Sequence, residues 1–201
     1  VTVRAVPFVM PIIGYGTENV GNLRLWQAEA VNDFDFAKFD CGSYAEAVSA
    51  KTSAENISMV LYPNDNCDEG KVLRLKQEYF FSAASLADIV KKHMERNGTL
   101  DNFADKVTIQ LNDTHPVISI PELMRLLCDV YGMDFDKASE ITRKTFNYTN
   151  HTIMQEALEK WSAALVERIL PRVYAYILMI NERFIKDMYT LGKDREFIEK
   201  L

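Results

Sequence analysis

The feature that most constrains the fold is an apolar run that ends abruptly in polar residues. Residues 107–111 have the composition of a buried strand, and the polar residues 112–115 follow them directly, before Pro116. An amphipathic helix is predicted next. Ligands of open α/β sheets bind just outside the carboxyl ends of the strands. The pattern therefore predicts a ligand site after this strand, although Asn and Asp also form ordinary turns.

Length and composition fit one globular domain or a large piece of one. The chain has 201 residues, of which 48% are hydrophobic and 26% are charged, and this supplies enough apolar material for a sizeable core. The formal net charge is −6, and the absence of a basic patch argues against nucleic acid and anionic membranes as partners. No apolar run approaches the roughly 20 residues that would span a bilayer.

The first residue and the cysteines suggest the origin of the chain. It starts at Val1 rather than at Met, which indicates an excerpt of a longer protein. Cys41, Cys67 and Cys128 are scattered and show no CxxC spacing. Such a set is typical of free thiols in a reducing compartment, so a cytoplasmic location is predicted.

The first third of the chain is predicted to form a hairpin and then helices. Two strands and two short helices are expected at residues 3–13, 22–26, 34–39 and 44–50. A capping box at Thr52 and Glu55 predicts a further helix at 53–61, and Tyr62-Pro63 should end it. A polar loop of Asn64, Asp65 and Asn66 follows.

The remainder is predicted to be mostly helical, with a long helix at 69–96 and a glycine cap at Gly98. A capping box at Ser119 and Glu122 predicts the helix after the strand, and Asp134 should cap the next one. Four apolar residues of the first of these two helices are expected on one face: Leu123, Leu126, Leu127 and Val130. Residues 147–151 are short, polar and extended, and helices fill the rest, with Pro171 in a first turn.

Three polar clusters stand at the ends of predicted elements. They lie at 64–66, at 112–115 and at 149–152, the last with Glu156 and Glu159 on a predicted helix after it. Asp accepts hydrogen bonds, Asn donates and accepts, and His does either, which suits the many hydroxyls of a sugar. Each cluster has an alternative: a plain turn, histidines bonded to backbone carbonyls in a core, or solvated carboxylates. Asp113, His115 and His151 could also bind a metal.

The clusters lie within stretches that closely resemble the glycogen, starch and maltodextrin phosphorylases. Two of these stretches are Val-Leu-Tyr-Pro-Asn-Asp-Asn at 60–66 and Ile-Gln-Leu-Asn-Asp-Thr-His-Pro at 109–116. The others are at residues 22–26, 54–58, 73–80, 120–125, 148–152 and 156–159. They occur in the family's order over nearly the whole chain, which makes a chance match very improbable.

The resemblance implies roles for individual residues in a glucose pocket. It puts Asn66 and His151 at the glucose and makes His151 the catalytic residue. The backbone carbonyl of His151 would face the positive charge that develops at the anomeric carbon, and its side chain would bind a sugar hydroxyl. The other substrate-binding residues that it implies are Asn64, Asp65, Arg74, Asp113, His115, Ala157 and Glu159. Asp65 and Asn66 would belong to a mobile gate loop.

The resemblance also implies an architecture and a reaction. The fold class is α/β and helix-rich. Residues 1–201 would be the later portion of the Rossmann-like N-terminal domain of a two-domain glycosyltransferase type B fold. The family moves a terminal α-1,4-linked glucose to phosphate with retention, giving glucose 1-phosphate. Pyridoxal phosphate serves the full-length enzyme, and its lysine lies in a C-terminal domain that this chain does not contain.

The expected partners are an α-1,4-glucan, phosphate, the enzyme's own C-terminal domain and a second subunit in a homodimer. The 201-residue chain alone is predicted to be inactive, because the phosphate clamp and the cofactor lie elsewhere. Two other functions stay open: a non-catalytic module that holds glucan, and a metal-dependent hydrolase that uses Asp113, His115 and His151.

Overall fold

A computed structural model describes residues 2–154 and 158–200, which are mixed α/β and rich in helix. The four strands of this part are β1 (Val3–Ile13), β2 (Val20–Ala30), β3 (Ile109–Asn112) and β4 (Phe146–Thr149). Its α-helices are α1 (Phe36–Asp40), α2 (Tyr44–Ala47), α3 (Ser49–Met59), α4 (Asp68–Asn97), α5 (Phe103–Lys106), α6 (Ser119–Arg125), α7 (Phe135–Thr145), α8 (Ala163–Ile169), α9 (Pro171–Thr190) and α10 (Arg195–Ile198). The chain divides into two compact units, Val1–Ala84 and Ser85–Leu201.

The first unit is built on the predicted hairpin, since β1 and β2 pair antiparallel along all of their residues. Ala28 of β2 packs in a small core with Ile57 of α3 and Phe80 of α4. The Ala28 N–H also donates to the Ser58 hydroxyl at 2.8 Å. Apolar burial and this hydrogen bond together hold α3 against β2.

α3 begins earlier than the capping box at Thr52 and Glu55 predicts, so that prediction is wrong. The helix runs Ser49–Met59 and contains Thr52. The Thr52 hydroxyl donates to the Val48 carbonyl at 3.2 Å, a bond that Thr side chains make to the preceding turn inside a helix. The helix does end before Tyr62-Pro63, as predicted.

The second unit contains a parallel pair of strands, β3 and β4, with Ile109 opposite Phe146 and Asn112 opposite Thr149. The strand predicted within 107–111 and the extended segment predicted within 147–151 are both confirmed. Parallel strands need a crossover connection, and α6 and α7 supply it in sequence. The buried apolar core beside them comprises Leu86, Val90, Leu100, Phe103, Leu123, Met124, Leu126, Leu127, Ala138, Ile141 and Tyr176.

α6 continues into a π-helical turn, Leu126–Val130. Such a turn holds more residues than an α-helical turn and rotates the side chains that follow. Leu126 and Leu127 are buried as predicted, whereas Val130 is 58% exposed. The prediction for Val130 is wrong because it assumed a regular helical period through the turn.

The capping box at Ser119 and Glu122 is also wrong. Ser119 is already helical and buried. The fully buried Glu122 carboxylate accepts from Arg125, at 2.8 Å from Nε and 2.7 Å from Nη2. A buried carboxylate requires such a partner. By contrast, Asp134 caps α7 as predicted, because its side chain accepts from the Asp136 N–H at 2.9 Å.

The π-helical turn directs Asp129 toward α9. Arg172 donates to the Asp129 carboxylate through Nε at 2.7 Å and through Nη2 at 2.5 Å. The hydroxyl of Tyr176, a residue that is 2% exposed, donates to the same carboxylate at 2.8 Å. The hydrogen bonds from Arg172 hold the pKa of Asp129 down at about 2, and burial raises the pKa of Tyr176. We call Asp129, Arg172 and Tyr176 the α9 latch.

Replacing Asp129 by Asn should lower the free energy of unfolding by about 1–2 kcal/mol at pH 7. A loss nearer the lower end of this range is expected, because the Asp129 side chain is 26% exposed and solvent partly screens its charge. A carboxyl group with a lowered folded-state pKa stabilises the fold above its unfolded pKa and loses that effect as the pH falls. The difference between Asp129→Asn and the parent should therefore vanish on going from pH 5 toward pH 2 in urea unfolding.

The matched control for the latch is Glu140→Gln, which removes an exposed acid paired with Lys144 at 2.6 Å. Exposed ion pairs add little to stability, so its unfolding midpoint should stay unchanged. Equal midpoints for Asp129→Asn and the parent at pH 7 would show that the latch does not stabilise the unit.

α9 is the longest helix that lies wholly in the second unit, and Pro171 occupies its first turn as predicted. Val173 and Tyr176 are its buried residues. Within the described part of the chain, no helix combines the length and the apolar character that crossing a membrane would require.

Candidate functional site

The polar residues after β3 and those after β4 lie at one edge of the second unit. The Asp113 N–H donates to the Thr149 carbonyl at 2.9 Å. On the strands themselves, Gln110 Nε2 donates to the Thr149 hydroxyl at 2.8 Å. Parallel strands bring their carboxyl ends together, so the two loops leave the sheet side by side. The structure thus brings two of the three predicted polar clusters together.

A side-chain hydrogen bond joins these two loops. His151 Nε2 and Asn112 Oδ1 are 2.5 Å apart. An amide oxygen only accepts, so this contact requires a proton on Nε2, and in the neutral form of the ring Nδ1 is then the acceptor. A protonated ring nitrogen cannot bind a metal, which counts against the metal-dependent hydrolase that uses His151 through this atom.

Asp113 turns the chain sharply away from β3. Its φ is 71°, in the left-handed region that Asp tolerates better than most residues. The Thr114 N–H donates to Asp113 Oδ1 at 2.9 Å, and the backbone bond to Thr149 fixes the residue on its other side. Backbone strain of this kind concentrates at functional sites.

The cluster predicted at 64–66 belongs to the first unit, in the loop between α3 and α4. The Asn66 N–H donates to the Asn64 side-chain oxygen at 3.0 Å, which is the short turn that an Asn side chain builds. Just before it, Tyr62 has a φ of 57°. Gln77 Nε2 of α4 donates to the Val60 carbonyl at 2.8 Å. The Gln77 side chain therefore anchors the segment just before the cluster to α4.

Gly70, in the first turns of α4, lies directly against this loop. A Cβ at position 70 would stand 1.7 Å from the Asn64 carbonyl oxygen, 2.7 Å from its carbon and 3.3 Å from the Asp65 Cα. Real Cβ atoms do not approach backbone atoms so closely. Glycine is required here by close approach of two backbones rather than by its φ angle.

Arg74 belongs to the same unit and is partly buried. Its Nε lies 3.3 Å from Glu78 Oε1, and its guanidinium stands 5.6 Å from the centre of the Tyr62 ring. Both contacts orient the side chain within the first unit. Its predicted role in lining a glucan channel stays a prediction.

The remaining predicted site residues lie in the second unit. His115 and Glu159 are half-buried. Glu159 lies in an irregular segment, because α8 begins only after Ser162. The Ser162 carbonyl accepts from the Val166 N–H at 3.1 Å. The prediction that Glu159 is helical is therefore wrong. Ala157 and Glu156 lie outside the described residues.

Two positions that matter to this geometry were not among the predicted site residues. Asn112 belongs to a predicted cluster, but its position opposite Thr149 emerges only once the parallel register is known. Gly70 carried a usable signal, since a glycine inside a predicted helix lowers helix stability and requires a reason.

Two cavities among the described residues are lined by other side chains than the predicted ones. One, of about 520 Å³, lies between α6, α7 and α9 and includes Met124, Phe135 and Ile180. The other, of about 570 Å³, lies in the first unit around Phe34 and Lys38.

Comparison with known proteins gives consistent matches over the whole chain. The family model of carbohydrate phosphorylases matches residues 1–201. Brain-form glycogen phosphorylase of Mus musculus is 52% identical over 197 residues, covering 94% of this chain and 23% of the relative. Glycogen phosphorylase of Saccharomyces cerevisiae is 50% identical over 200 residues, covering 99% and 22%. That of Synechocystis is 48% identical over 183 residues, covering 91% and 22%.

The chain therefore spans less than a quarter of the length of these relatives. Identity near one half over more than nine tenths of the chain shows common descent. The protein belongs to the carbohydrate phosphorylase family.

Proposed function

We propose that this chain is part of an α-1,4-glucan phosphorylase, and that the edge beyond β3 and β4 binds the glucose that is transferred. The observation that carries the proposal is the joining of two polar loops by Asp113, Thr149, Asn112 and His151. Relatives that bear the name glycogen phosphorylase support the choice of reaction. The full enzyme would adopt a two-domain glycosyltransferase type B fold, with this chain in its Rossmann-like N-terminal domain.

The edge suits a sugar for a physical reason. A hexose hydroxyl both donates and accepts, and the loops offer carboxylate, amide, hydroxyl and imidazole groups on a fixed backbone. His151 would take a hydroxyl with its side chain. Its backbone carbonyl would stabilise the positive charge that develops at the anomeric carbon as the glucosidic bond breaks.

The other assigned residues are proposed for the same enzyme on the strength of the resemblance. Asp113, His115 and Glu159 would contact the glucan from the second unit, and so would Ala157. Asn64, Asp65, Asn66 and Arg74 would contribute from the first unit. The full enzyme is proposed to work in the cytoplasm as a homodimer that takes α-1,4-glucan and phosphate.

Pyridoxal phosphate is the cofactor that the family implies. It needs a lysine to hold its aldehyde and cationic or N–H groups to hold its phosphate. The edge beyond β3 and β4 offers Asn112, Asp113, Thr114 and His115, with no lysine and with an acidic group instead. These residues do not fit the cofactor, and no step through it is assigned to them.

The proposal is tested with the full-length protein, incubated with a linear α-1,4-glucan and phosphate. We expect glucose 1-phosphate as the product, with the α configuration retained, and chain growth when glucose 1-phosphate and a short glucan are supplied. Free glucose as the product, formed at the same rate without phosphate, would identify a hydrolase and overturn the proposal.

The 201-residue chain alone is expected to release no glucose 1-phosphate under conditions in which the full-length enzyme is active. The reason is that it supplies sugar contacts without a phosphate clamp. Titration calorimetry with maltoheptaose should also show very weak binding. Micromolar affinity in the isolated chain would favour a glucan-binding module instead, and phosphorolysis by the isolated chain would contradict the division of labour proposed here.

A further inference from the structure

We propose that Asn112 is a positioning residue that fixes the tautomer of His151, so that Nδ1 of His151 accepts a hydrogen bond from a hydroxyl of the bound glucose. This inference rests on the proposed function, because it assumes that His151 contacts the sugar. It goes further by assigning a role to a residue outside the sugar contacts, and by stating which partner donates.

The geometry gives Asn112 this role. It is the last residue of β3, and its side chain reaches across to the loop after β4. The amide oxygen of Asn112 lies 2.5 Å from His151 Nε2, which requires a proton on Nε2. In a neutral imidazole the other nitrogen is then an acceptor. The partner that suits it is an O–H group, and a hexose presents several.

The position of Asn112 is itself fixed. The strand pairing sets Asn112 opposite Thr149, two residues before His151. The backbone bond from Asp113 to the Thr149 carbonyl closes the sheet beyond this pair. The imidazole is therefore oriented by the register of the sheet, as catalytic and ligating histidines commonly are by a second hydrogen bond.

The chain offers a closely matched control. Gln110 lies two residues earlier on β3, and its amide donates to the Thr149 hydroxyl at 2.8 Å. Gln110→Leu removes a cross-strand amide hydrogen bond from the same pair of strands and does not touch His151. A loss that Asn112→Leu shows and Gln110→Leu does not show cannot come from general weakening of the sheet.

Steady-state kinetics of the full-length enzyme test the idea with Asn112→Leu and Asn112→Asp. Leucine has a similar size and no acceptor, so kcat/KM should fall about tenfold, while Gln110→Leu should stay within about twofold of the parent. Aspartate keeps an oxygen that only accepts, so it should restore activity at high pH. If Asn112→Asp has no restored activity at any pH, the amide nitrogen of Asn112, and not its oxygen, makes the contact that matters. That result would overturn the proposal.

The pH profile separates positioning from simple packing. A carboxylate beside an imidazole favours the doubly protonated ring, in which Nδ1 donates and can no longer accept. The acid limb of the Asn112→Asp profile should therefore move to higher pH by about one unit. An acid limb in the parental position would contradict the proposed tautomer.

A panel of deoxy analogues of glucose 1-phosphate identifies the hydroxyl. At one position of the sugar, removal of the hydroxyl should strongly lower kcat/KM of the parent enzyme. The same removal should lower kcat/KM of Asn112→Leu only slightly further, because this variant has already lost the contact. If every deoxy analogue is penalised equally in the parent and in Asn112→Leu, Asn112 does not act on sugar recognition and the proposal fails.

A double-mutant cycle distinguishes this failure from failure of the proposed function. In a His151→Ala background, Asn112→Leu should have less than about a twofold effect, since there is no ring left to orient. If His151→Ala is impaired and Asn112→Leu is not, the positioning role is wrong and the sugar contact stands. If neither variant is impaired, the contact of His151 with the sugar is itself wrong.

Discussion

Replacing His151 by alanine is expected to lower kcat/KM of the full-length enzyme by about 100-fold. The substitution leaves the backbone carbonyl in place and removes only the imidazole. A sugar hydroxyl held away from water would then lack its partner, and a buried polar group without a partner costs about 1–3 kcal/mol. Phosphorolysis rates over a range of glucan concentrations measure the effect, and thermal unfolding checks that the variant is folded.

His151→Asn is the informative companion to the alanine variant. The Asn amide oxygen can stand close to where Nδ1 stood, so part of the hydroxyl contact should survive, and we expect a loss of about tenfold. Activity of His151→Ala within about threefold of the parent would show that the imidazole does not contribute to the reaction. Equal losses in both variants would show that the acceptor is unimportant and that ring packing matters instead.

Gly70→Ala is expected to raise the KM for glucan at least about tenfold. The added methyl group would stand 1.7 Å from the Asn64 carbonyl oxygen, so the loop that carries Asn64, Asp65 and Asn66 must move or α4 must unwind at its start. Overpacking of this kind typically costs about 1–3 kcal/mol. Glucan-dependent rates measure the change in KM, and urea unfolding measures the change in stability.

Gly21→Ala is the matched control for position 70. It makes the same chemical change in the same unit, but the new methyl group would meet Ile12 atoms only at 3.7 Å, which is ordinary contact. We expect unaltered kinetics for this variant. A parental KM for Gly70→Ala would mean that the loop shifts without consequence, and that its Asn and Asp side chains do not take part in binding.

Much of the fold follows from local sequence patterns, and the errors occur where local patterns compete with tertiary packing. The hairpin, the glycine cap at Gly98 and the Asp134 cap were predicted because short-range chemistry decides them. The capping boxes at Thr52 and Ser119 failed because both helices begin earlier than those residues suggest. The π-helical turn could not be predicted, because no residue type specifies it. It is stabilised by a contact distant in sequence, the hydrogen bond from Arg172 on α9 to Asp129.

The candidate site was predictable in its residue types and less so in its geometry. Polar residues after an apolar strand predict a ligand site, and the sequence shows such a run at 112–115. The pairing of Asn112 with Thr149, and hence the link from Asn112 to His151, depends on a strand register set by residues 37 positions apart in sequence. Such long-range pairings leave little trace in a single sequence, so Asn112 was not singled out.

The left-handed backbone of Asp113 affects how substitutions there must be interpreted. An alanine at this position would lose the carboxylate and would also be forced into a conformation that costs it roughly 1–2 kcal/mol. A drop in turnover after Asp113→Ala thus mixes lost recognition with a displaced main chain. Asparagine tolerates a φ of 71° well. The isosteric change Asp113→Asn therefore isolates the contribution of the negative charge, and Asp113→Gly isolates that of the whole side chain.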